Sequence, residues 1–549
     1  MIQLIIKRDG RLVPYDKEKI AMAVLQAMKA SGEGSVAEAA RIADAVESAL
    51  ERRSGAEPPQ IEVIQDTVEQ ELMHHEFPAS AKAYILYRAT RTRARESRTS
   101  LMKTIDEIAS KDARLSDLKR DNANIDGNTA MGAMPQIGSA GAKAYNEAYL
   151  LRPEHARAHR EGDIHIHDFD FYALTTTCTQ IDIVRLFKNG FSTGHGFLRE
   201  PQSIQSYAAL AAIAIQSNQN DQHGGQSIPN FDYGMALGVR KTVRKQYRKS
   251  LAEIAEDLLD RDDMSEPVNR AVEAAEAECG ENSLVPDPGF DAAVAARLAD
   301  ELGISKEEVL PMTARARRRA EKQADRDTYQ AMEGFVHNLN TMHSRAGAQT
   351  PFSSINYGTD TTPEGRMVIR NILLALDAGL GHGETCIFPI HIFKVKEGVN
   401  YNEGDPNYDL FRLSCKVSAK RLFPNYTFLD SPFNLQYYKP GHPESEVATM
   451  GCRTRVMGNV YDPTREIAFS RGNLSFTSIN LPRIAIESKG DEARFLSKLD
   501  EMLELVAQQL LDRFEIQRRS GYTTTPSSWA RTCGWTPTSW DPTTRSGRC

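Results

Sequence analysis

TTTCTQID, residues 175–182, is the stretch that indicates the fold most directly. Its β-branched threonines around Cys178 are typical of an extended, buried strand. On both sides of it, helical patterns alternate with short β-rich segments; the helical patterns include 140–162 and 203–218, and the β-rich segments include 163–171, 350–358 and 386–395. Strands that alternate with helices pack as a sheet covered by helices. The pattern therefore predicts an α/β fold with one large core.

The composition is that of an ordinary globular chain that is too long for one domain. It has 549 residues, 40% hydrophobic and 26% charged, and chains beyond about 300 residues divide into several domains. A net charge of −7 gives no basic surface for nonspecific nucleic-acid binding. No apolar run approaches the ~18 residues of a membrane span, and the N-terminus has no signal-peptide core. These features predict a cytoplasmic protein with neither a nucleic-acid nor a membrane partner.

The cysteines do not form a disulfide framework, because there are seven in this length and no CxxC pair. Cys279, Cys386 and Cys415 fit buried or incidental thiols. Cys178 lies in the predicted strand, and Cys452 follows a glycine in TMGCRTRV, where a tight, exposed turn can form. These two thiols could be core residues, a redox pair, or a radical-bearing thiol with a partner. Their separation along the chain does not decide between these roles, since such groups meet in space.

The N-terminal 95 residues read as a compact module. A β-rich run, a turn at Asp9-Gly10 and a second short strand predict a hairpin. Helical patterns with apolar residues at i, i+3 and i+4 follow at 17–31, 36–50, 61–75 and 80–96. Backbone N–H groups at the turn, flanked by cations, would suit a polyphosphate, although basic hairpins are also common on protein surfaces.

The order of these elements resembles the ATP-cone, a regulatory nucleotide-binding module. The resemblance implies ATP and dATP as allosteric effectors. It also implies a set of contact residues: phosphate contacts by Lys7, Arg8 and Lys19, a turn at Asp9 and Gly10, and a nucleotide contact by Thr67.

Further motifs occur in a fixed order between residues 160 and 485: REGDIHIHDFDFY, TTTCTQID, GFSTGHGFLREP, QTPFSSINYG, GDPNYDL, MGCR and GNLSFTSINLPRIA. Together with the ATP-cone pattern they closely resemble the anaerobic (class III) ribonucleoside-triphosphate reductases. The resemblance implies a ten-stranded α/β barrel of the glycyl radical enzyme type, in which two antiparallel halves of five parallel strands enclose a finger loop. It also implies reduction of ribonucleoside triphosphates to 2′-deoxyribonucleoside triphosphates by thiyl-radical chemistry.

The resemblance assigns roles to individual residues. Cys452 would be the transient thiyl that removes the 3′-hydrogen, and Cys178 would donate hydrogen from the opposite face of the sugar. Asn473 would hold the ribose hydroxyls without a charge, with Asn480 of the same motif as the alternative. The implied partners are formate or a small redox protein as reductant, an iron–sulfur activating enzyme that uses S-adenosylmethionine, and a second copy of the chain in a homodimer.

Two further motifs have more than one interpretation. QTPFSSINYG suits triphosphate or ribose contacts, although a strand entering a turn fits equally well; the candidate residues are Gln349, Thr350, Ser353 and Ser354. His165 and His167 alternate on one strand face. Because no third ligand lies at suitable spacing, they indicate structural or hydrogen-bonding roles, and no metal site is predicted.

The last 30 residues differ from the rest of the sequence. The family's glycyl radical segment and four-cysteine zinc site are absent, and no Lys or Glu follows Arg519. From the junction of Pro526 and Ser527 onward, the last base of each codon taken with the first two bases of the next can, with allowed codon choices, spell a sequence that looks like the family's continuation. We therefore expect a frameshift near Arg519–Gly521, in the gene or in its reading. On this hypothesis no role belongs to the residues typical of the tail: Trp529, Trp535, Trp540, Cys533 and Cys549.

The expected domains are an ATP-cone at 1–95, a polar connector at 96–135, an incomplete barrel at 136–519 and an out-of-frame tail at 520–549. Two functions follow from this organisation. The chain is an anaerobic ribonucleoside-triphosphate reductase, or it is a catalytically inactive fragment that binds nucleotides through its ATP-cone. The pyruvate formate-lyase-like enzymes share the barrel, but they lack the ATP-cone and typically carry adjacent paired cysteines, which this sequence does not contain.

Overall fold

The computed structural model describes residues 2–7, 11–54, 57–110, 130–175, 177–188, 190–193, 196–279, 287–344, 349–451, 453–456 and 471–520. The chain divides into two compact units. The first comprises Met1–Ser110 and Ala140–Ala156, and the second comprises Lys111–Ser139 and Arg157–Cys549. Among the described residues, no helix is both long and apolar enough to cross a membrane.

The strands are β1 Leu4–Ile6, β2 Leu12–Pro14, β3 Ile164–Ile166, β4 Cys178–Gln180, β5 Phe191–Ser192, β6 Phe197–Leu198, β7 Gln226–Ile228, β8 Ser353–Tyr357, β9 Ile390–Val395, β10 Asn425–Phe428, β11 Ala448–Thr449, β12 Arg455–Val456, β13 Gly472–Asn473 and β14 Thr477–Ile479.

The α-helices are α1 Lys17–Ser31, α2 Val36–Ser54, α3 Ile61–His74, α4 Pro78–Ser110, α5 Ala130–Tyr145, α6 Pro153–Glu161, α7 Ile183–Lys188, α8 Ile204–Asp221, α9 Phe231–Leu259, α10 Ser265–Cys279, α11 Pro288–Leu302, α12 Lys306–Thr341, α13 Pro363–Ala378, α14 Tyr408–Arg421, α15 Pro432–Leu435, α16 Leu481–Ser488 and α17 Glu492–Ser520. One π-helical turn, Asn146–Leu150, and two 3₁₀ turns, Phe169–Phe171 and Pro443–Ser445, complete the described helices.

The first unit has the hairpin and the helices that the sequence predicts. Strands β1 and β2 pair antiparallel, with Ile5 opposite Val13. Helix α1 begins where the Asp16 carboxylate accepts the N–H of Glu18 at 3.1 Å, and it ends at Gly32, whose left-handed backbone (φ 73°) suits glycine. Helix α4 continues to Ser110, into the segment that we predict to be the connector, because apolar residues recur there at 101, 105 and 108. The predicted domain boundaries themselves remain predictions.

The second unit is built on a six-stranded sheet in the order β10-β9-β8-β7-β4-β13. Strands β4, β7, β8, β9 and β10 are mutually parallel, and β13 pairs antiparallel with β4 at the edge. This arrangement confirms the α/β class. Its five parallel strands fit one half of the expected barrel, and β13 adds one strand of opposite direction.

Helix α17 secures the segment that leads into β4. Its side chains hydrogen-bond to backbone carbonyl groups there: Arg513, which is fully buried, donates to Tyr172 at 3.0 Å and to His167 at 3.1 Å. One turn further on, Gln517 donates to the carbonyl of Thr175 at 3.1 Å. These contacts satisfy buried backbone groups. They thereby hold in place the chain segment that leads to Cys178.

Candidate active site

One face of the sheet carries a set of polar side chains, and we call it the inner face. Gln180 lies opposite Ser227, and Ser227 lies opposite Ser354. Because paired residues of parallel strands point to the same side and side chains alternate along a strand, Cys178 and Asn356 share this face. The inner face is thus a buried row of hydroxyls and amides with a thiol at one end.

Cys178 and Asn473 lie directly opposite each other on neighbouring strands. Their Cα atoms are register partners in the β4–β13 pair, and the N–H of Thr177 donates to the carbonyl of Asn473 at 2.9 Å. Cys178 is 2% exposed and packs against the buried side chain of Met450. The structure therefore brings together two of the predicted site residues that are far apart in the sequence.

The segment Glu446–Gly451, which we call the finger segment, lies on the inner face. The side chain of Gln180 donates to the carbonyl of Ala448 at 3.3 Å, and that of Ser227 donates to the carbonyl of Thr449 at 3.0 Å. Cys452 itself lies outside the described residues. Its predecessor Gly451 lies so close to the Phe352 ring that a Cβ atom there would come within 2.6 Å of it. This glycine therefore allows the backbone leading to Cys452 to approach the sheet.

Gly224 makes a second close approach, beside Cys178. Its backbone has φ +82°, and a Cβ atom would overlap the carbonyl oxygen of Thr177 and lie 3.0 Å from the Cys178 sulfur. The next residue, Gly225, donates its N–H to that sulfur at 3.3 Å. The thiol is thus held by glycine backbone on one side and by Met450 on another.

We expect Gly224→Ala to lower the free energy of unfolding by about 2–5 kcal/mol. A left-handed backbone costs alanine ~1–2 kcal/mol, and the overlap adds ~1–3 kcal/mol. Gly398→Ala is the matched control, because Gly398 has a similar φ of +77° and open space at the Cβ position. Urea denaturation of both variants checks this: equal losses would show that no steric overlap exists beside Cys178.

The four candidate substrate contacts of QTPFSSINYG do not all lie on the inner face. Ser354 lies on the inner face, fully buried, and its hydroxyl has no hydrogen-bond partner among the described residues. Ser353 points to the opposite face and donates to the carbonyl of Pro351 at 3.2 Å. The backbone carbonyl of Gln349 accepts from Ser344 at 2.8 Å, and that of Thr350 accepts from Gln219 at 3.3 Å. Of the four side chains, the geometry favours Ser354 as a contact on the inner face.

A buried ion pair, which the sequence patterns do not predict, anchors the start of the finger segment. Lys394 of β9 lies 2.9 Å from Glu446, with the two side chains 0% and 5% exposed. The hydroxyl of Thr359 donates to the same carboxylate at 2.8 Å. Burial raises the pKa of Glu446, and Lys394 opposes this shift. Nearby, burial and the charge of Asp232 raise the pKa of Asp360 to about 7.

The histidines after α6 form a ring cluster. The rings of His165 and His167 lie 4.7 Å apart, edge to face, and His167 Nε2 is 2.8 Å from the Ser478 hydroxyl. Burial lowers the pKa of His167. Among the described residues, no group of three or more His, Cys, Asp or Glu side chains could hold a metal ion. The described residues thus do not fit the family's zinc, and no step below involves it.

In the first unit, the predicted nucleotide contacts differ in exposure. Lys19 is 81% exposed and lies 3.1 Å from Asp16. Lys7 follows β1, and its backbone N–H donates to the carbonyl of Arg11 at 2.9 Å. Thr67 is buried in α3, where its hydroxyl donates to the carbonyl of Val63 at 2.7 Å. Arg8, Asp9 and Gly10 lie outside the described residues.

The fold and the site define a class: α/β proteins that carry a buried thiol on the inner face of a half-barrel sheet and have a separate module at the N-terminus of the chain. Two family models match the sequence. The ATP cone domain matches residues 3–93, and the anaerobic ribonucleoside-triphosphate reductase matches residues 121–540. The chain belongs to the anaerobic ribonucleoside-triphosphate reductase family.

Curated relatives agree with this assignment. The anaerobic ribonucleoside-triphosphate reductase of Salmonella typhimurium is 30% identical over 512 residues, and that of Escherichia coli is 29% identical over 512 residues. Each match covers 93% of this chain and 62% of the relative, so the chain spans less than two thirds of their length.

A crystal structure of the Thermotoga maritima anaerobic ribonucleotide reductase in complex with dATP and CTP aligns with a TM-score of 0.47 at 13% identity, covering 81% of this chain and 64% of that one.

Proposed function

We propose that this chain carries the regulatory and thiol-bearing parts of an enzyme that reduces ribonucleoside triphosphates to 2′-deoxyribonucleoside triphosphates without oxygen. One observation supports this most strongly. The register places Asn473 opposite Cys178, and the finger segment that leads to Cys452 packs on Cys178 through Met450. A thiol, an amide and the segment that precedes the second thiol thus meet on the inner face, where a ribose could be held between them.

The proposed reaction uses the two thiols in sequence. A thiyl radical on Cys452 takes the 3′-hydrogen of the ribose and becomes a thiol, because an S–H bond is weak enough to exchange hydrogen reversibly with a ribose C–H bond. The 2′-hydroxyl then takes up a proton and leaves as water, and Cys178 gives a hydrogen atom to C2′. Formate, oxidised to carbon dioxide, or a dithiol, oxidised to a disulfide, supplies the two electrons of the reduction and restores the thiol of Cys178. Return of the hydrogen from Cys452 to C3′ completes the deoxyribose and restores the thiyl.

Amides and hydroxyls of the inner face would position the ribose. Asn473 would hold the sugar hydroxyls without a charge, and Ser354 would add a hydroxyl on the same face. Such groups orient a substrate while water is excluded, which lowers the cost of reaching the reactive geometry. Asn480 is a less suitable alternative, because its side chain caps α16 by accepting the N–H of Arg483 at 3.1 Å.

Regulation and radical generation involve other components in this proposal. ATP or dATP would bind the N-terminal module through the cations Lys7, Arg8 and Lys19, since charge-assisted hydrogen bonds to phosphate are strong. A radical-SAM activating enzyme would generate the glycyl radical that oxidises Cys452, and two copies of the chain would form a dimer. We place the reaction in the cytoplasm.

Anaerobic reduction of CTP tests the proposal. The chain is incubated with a family activating enzyme, a polypeptide that carries the glycyl radical segment, and either formate or a dithiol. We expect dCTP to form and its rate to depend on ATP and dATP. If dATP binds in a calorimeter but no dCTP forms, the chain is a nucleotide-binding fragment. If dATP does not bind to the folded chain either, the regulatory role is wrong as well.

A further inference from the structure

Asn356, in the middle of β8, makes a pattern of contacts that the proposed reaction does not require. Its side chain is fully buried and pairs with both backbone groups of one residue of the finger segment. Nδ2 donates to the carbonyl of Thr449 at 2.9 Å, and the N–H of Thr449 donates to Oδ1 at 2.9 Å. Nδ2 also donates to the Ser227 hydroxyl at 3.1 Å. The Asn356 side chain thus makes the two hydrogen bonds to Thr449 that the backbone of a neighbouring strand would make.

The chemistry of this position suits asparagine. The carboxamide places a donor and an acceptor side by side at one end of a short side chain, whereas an ionised aspartate has acceptors alone. If the carboxamide were removed, the N–H of Thr449 would lose it as a partner in a buried site, while the carbonyl of Thr449 would keep only the Ser227 hydroxyl of its two donors among the described residues. A buried polar group left unpaired costs ~1–3 kcal/mol. The finger segment could then recover hydrogen bonds with water most readily by lifting from the sheet.

The attached residue lies close to Cys178 in space and to Cys452 in the sequence. Met450, which follows Thr449, is fully buried and covers Cys178, and Cys452 comes two residues later. The ion pair between Lys394 and Glu446 anchors the segment at its other end, three residues before Thr449. Lifting at Thr449 would therefore uncover Cys178 and move Cys452 at the same time.

We propose that Asn356 is a positioning residue, which holds the finger segment, and with it the chain that leads to Cys452, at the sheet over Cys178. The effect of Asn356 on turnover rests on the proposed function. In that reaction hydrogen passes between sulfur and ribose, and this transfer requires a short, defined distance between them. The effect of Asn356 on the finger segment does not depend on turnover. The test below therefore measures the segment and not the reaction.

Alkylation of individual cysteines measures the opening of the segment. The folded chain is treated with iodoacetamide under anaerobic conditions, and the rate at each cysteine is followed by peptide mass spectrometry. We expect Asn356→Ala to raise the rate at Cys178 about tenfold, the factor that ~1.4 kcal/mol of lost local stability produces. The rate at Cys386, which is 1% exposed in the hydrophobic core, should stay unchanged.

Two further variants exclude a general loss of structure. Asn356→Asp keeps the size of the side chain, so an equal increase at Cys178 in this variant does not arise from a cavity. Asn371→Ala is the matched control. Asn371 is also buried, and its amide donates to the Asp325 carboxylate at 2.8 Å and to the carbonyl of Met367 at 2.9 Å. Neither partner belongs to the finger segment or to its anchors, so the loss of this amide should not increase the alkylation of Cys178.

Hydrogen exchange of residues 446–451 provides a second measurement. We expect Asn356→Ala to accelerate exchange there without a change in the helices of the core. The proposal is overturned if Cys178 and the finger segment keep their protection in both Asn356 variants. It is also overturned if Cys386 becomes reactive in parallel with Cys178, because Asn356 would then support the whole fold. A chain with this result could still reduce CTP, so the two proposals fail separately.

Discussion

Replacing Cys178 with alanine should reduce dCTP formation to the background without enzyme, while hydrogen exchange at C3′ of the substrate continues. The two thiols have different roles in the proposed reaction. Cys452 removes the 3′-hydrogen, whereas Cys178 supplies hydrogen after that step. Without Cys178 the thiyl can still take and return the 3′-hydrogen, but the 2′-position is not reduced. The measurement is turnover of CTP deuterated at C3′, with both dCTP formation and loss of deuterium followed by mass spectrometry.

Comparison with Cys452→Ala makes this prediction specific. That variant should lose both dCTP formation and deuterium exchange, because no thiyl forms to attack the ribose. Both chains should bind dATP as the unchanged chain does, since neither substitution lies in the N-terminal module. If Cys178→Ala also stops deuterium exchange, Cys178 is needed before hydrogen abstraction and the assigned order is wrong. If Cys178→Ala still forms dCTP at the original rate, Cys178 is not the hydrogen donor.

The second large effect concerns stability: Lys394→Met should lower the free energy of unfolding by about 3–5 kcal/mol near neutral pH. Lys394 and Glu446 are almost completely buried, with 2.9 Å between their charged atoms. Removing one partner leaves an uncompensated charge in the interior, which costs ~3–5 kcal/mol. Urea denaturation followed by circular dichroism measures the loss.

Two variants separate the buried charge from the loss of packing. Lys394→Met combined with Glu446→Gln should recover most of the lost stability, because the neutral amide still accepts the hydrogen bond from Thr359 and no charge is left unpaired. Lys420→Met removes an exposed ion pair, with Asp377 at 2.9 Å and exposures of 55% and 37%, and should cost less than ~1 kcal/mol. If the double variant also loses several kcal/mol of unfolding free energy, the loss in Lys394→Met comes from packing and not from the unpaired charge.

The loss in Lys394→Met should also depend on pH. Burial raises the pKa of Glu446 in the folded chain, and Lys394 lowers it, so the folded-state pKa rises further when Lys394 is replaced. A carboxyl whose pKa is raised on folding contributes its stability below the unfolded pKa of ~4.3, and this contribution is lost as pH rises through the folded pKa. We therefore expect the variant to differ less from the unchanged chain at pH 5 than at pH 8. A pH-independent difference would contradict the ionisation of Glu446.

Local patterns in the sequence predicted the elements of both units. The amphipathic spacing at 17–31 corresponds to the full extent of α1, and the β-branched run around Cys178 contains β4. These predictions succeed because a helix or strand buries one face, and burial imposes its period on neighbouring residues. The ordered motifs between residues 160 and 485 likewise predicted the family, which the family model over residues 121–540 confirms. The predicted frameshift and the tail at 520–549 remain predictions.

The anchors of the finger segment were not predictable in this way. Asn356 lay within a quoted motif without a role, and Lys394 lay in a β-rich segment that indicated a strand and nothing more. Both act on residues about 50 to 90 positions away, at Glu446 and at Thr449. The hydrogen bonds of Asn356 go to backbone groups of Thr449 and therefore place no constraint on the side chain of that residue. The ion pair of Lys394 joins two side chains, but in one sequence nothing distinguishes Glu446 from the other acidic residues as its partner.

What the sequence by itself determined is therefore the family, the N-terminal module and the positions of the strands and helices. What only the tertiary structure decided is which residues share a face: Asn473 opposite Cys178, and Ser354 but not Ser353 on the inner face. Strand register decides this, because a shift of one residue turns every side chain to the other side of the sheet. Register depends on neighbouring strands that lie far apart in the chain, and the chemistry of the site depends on register.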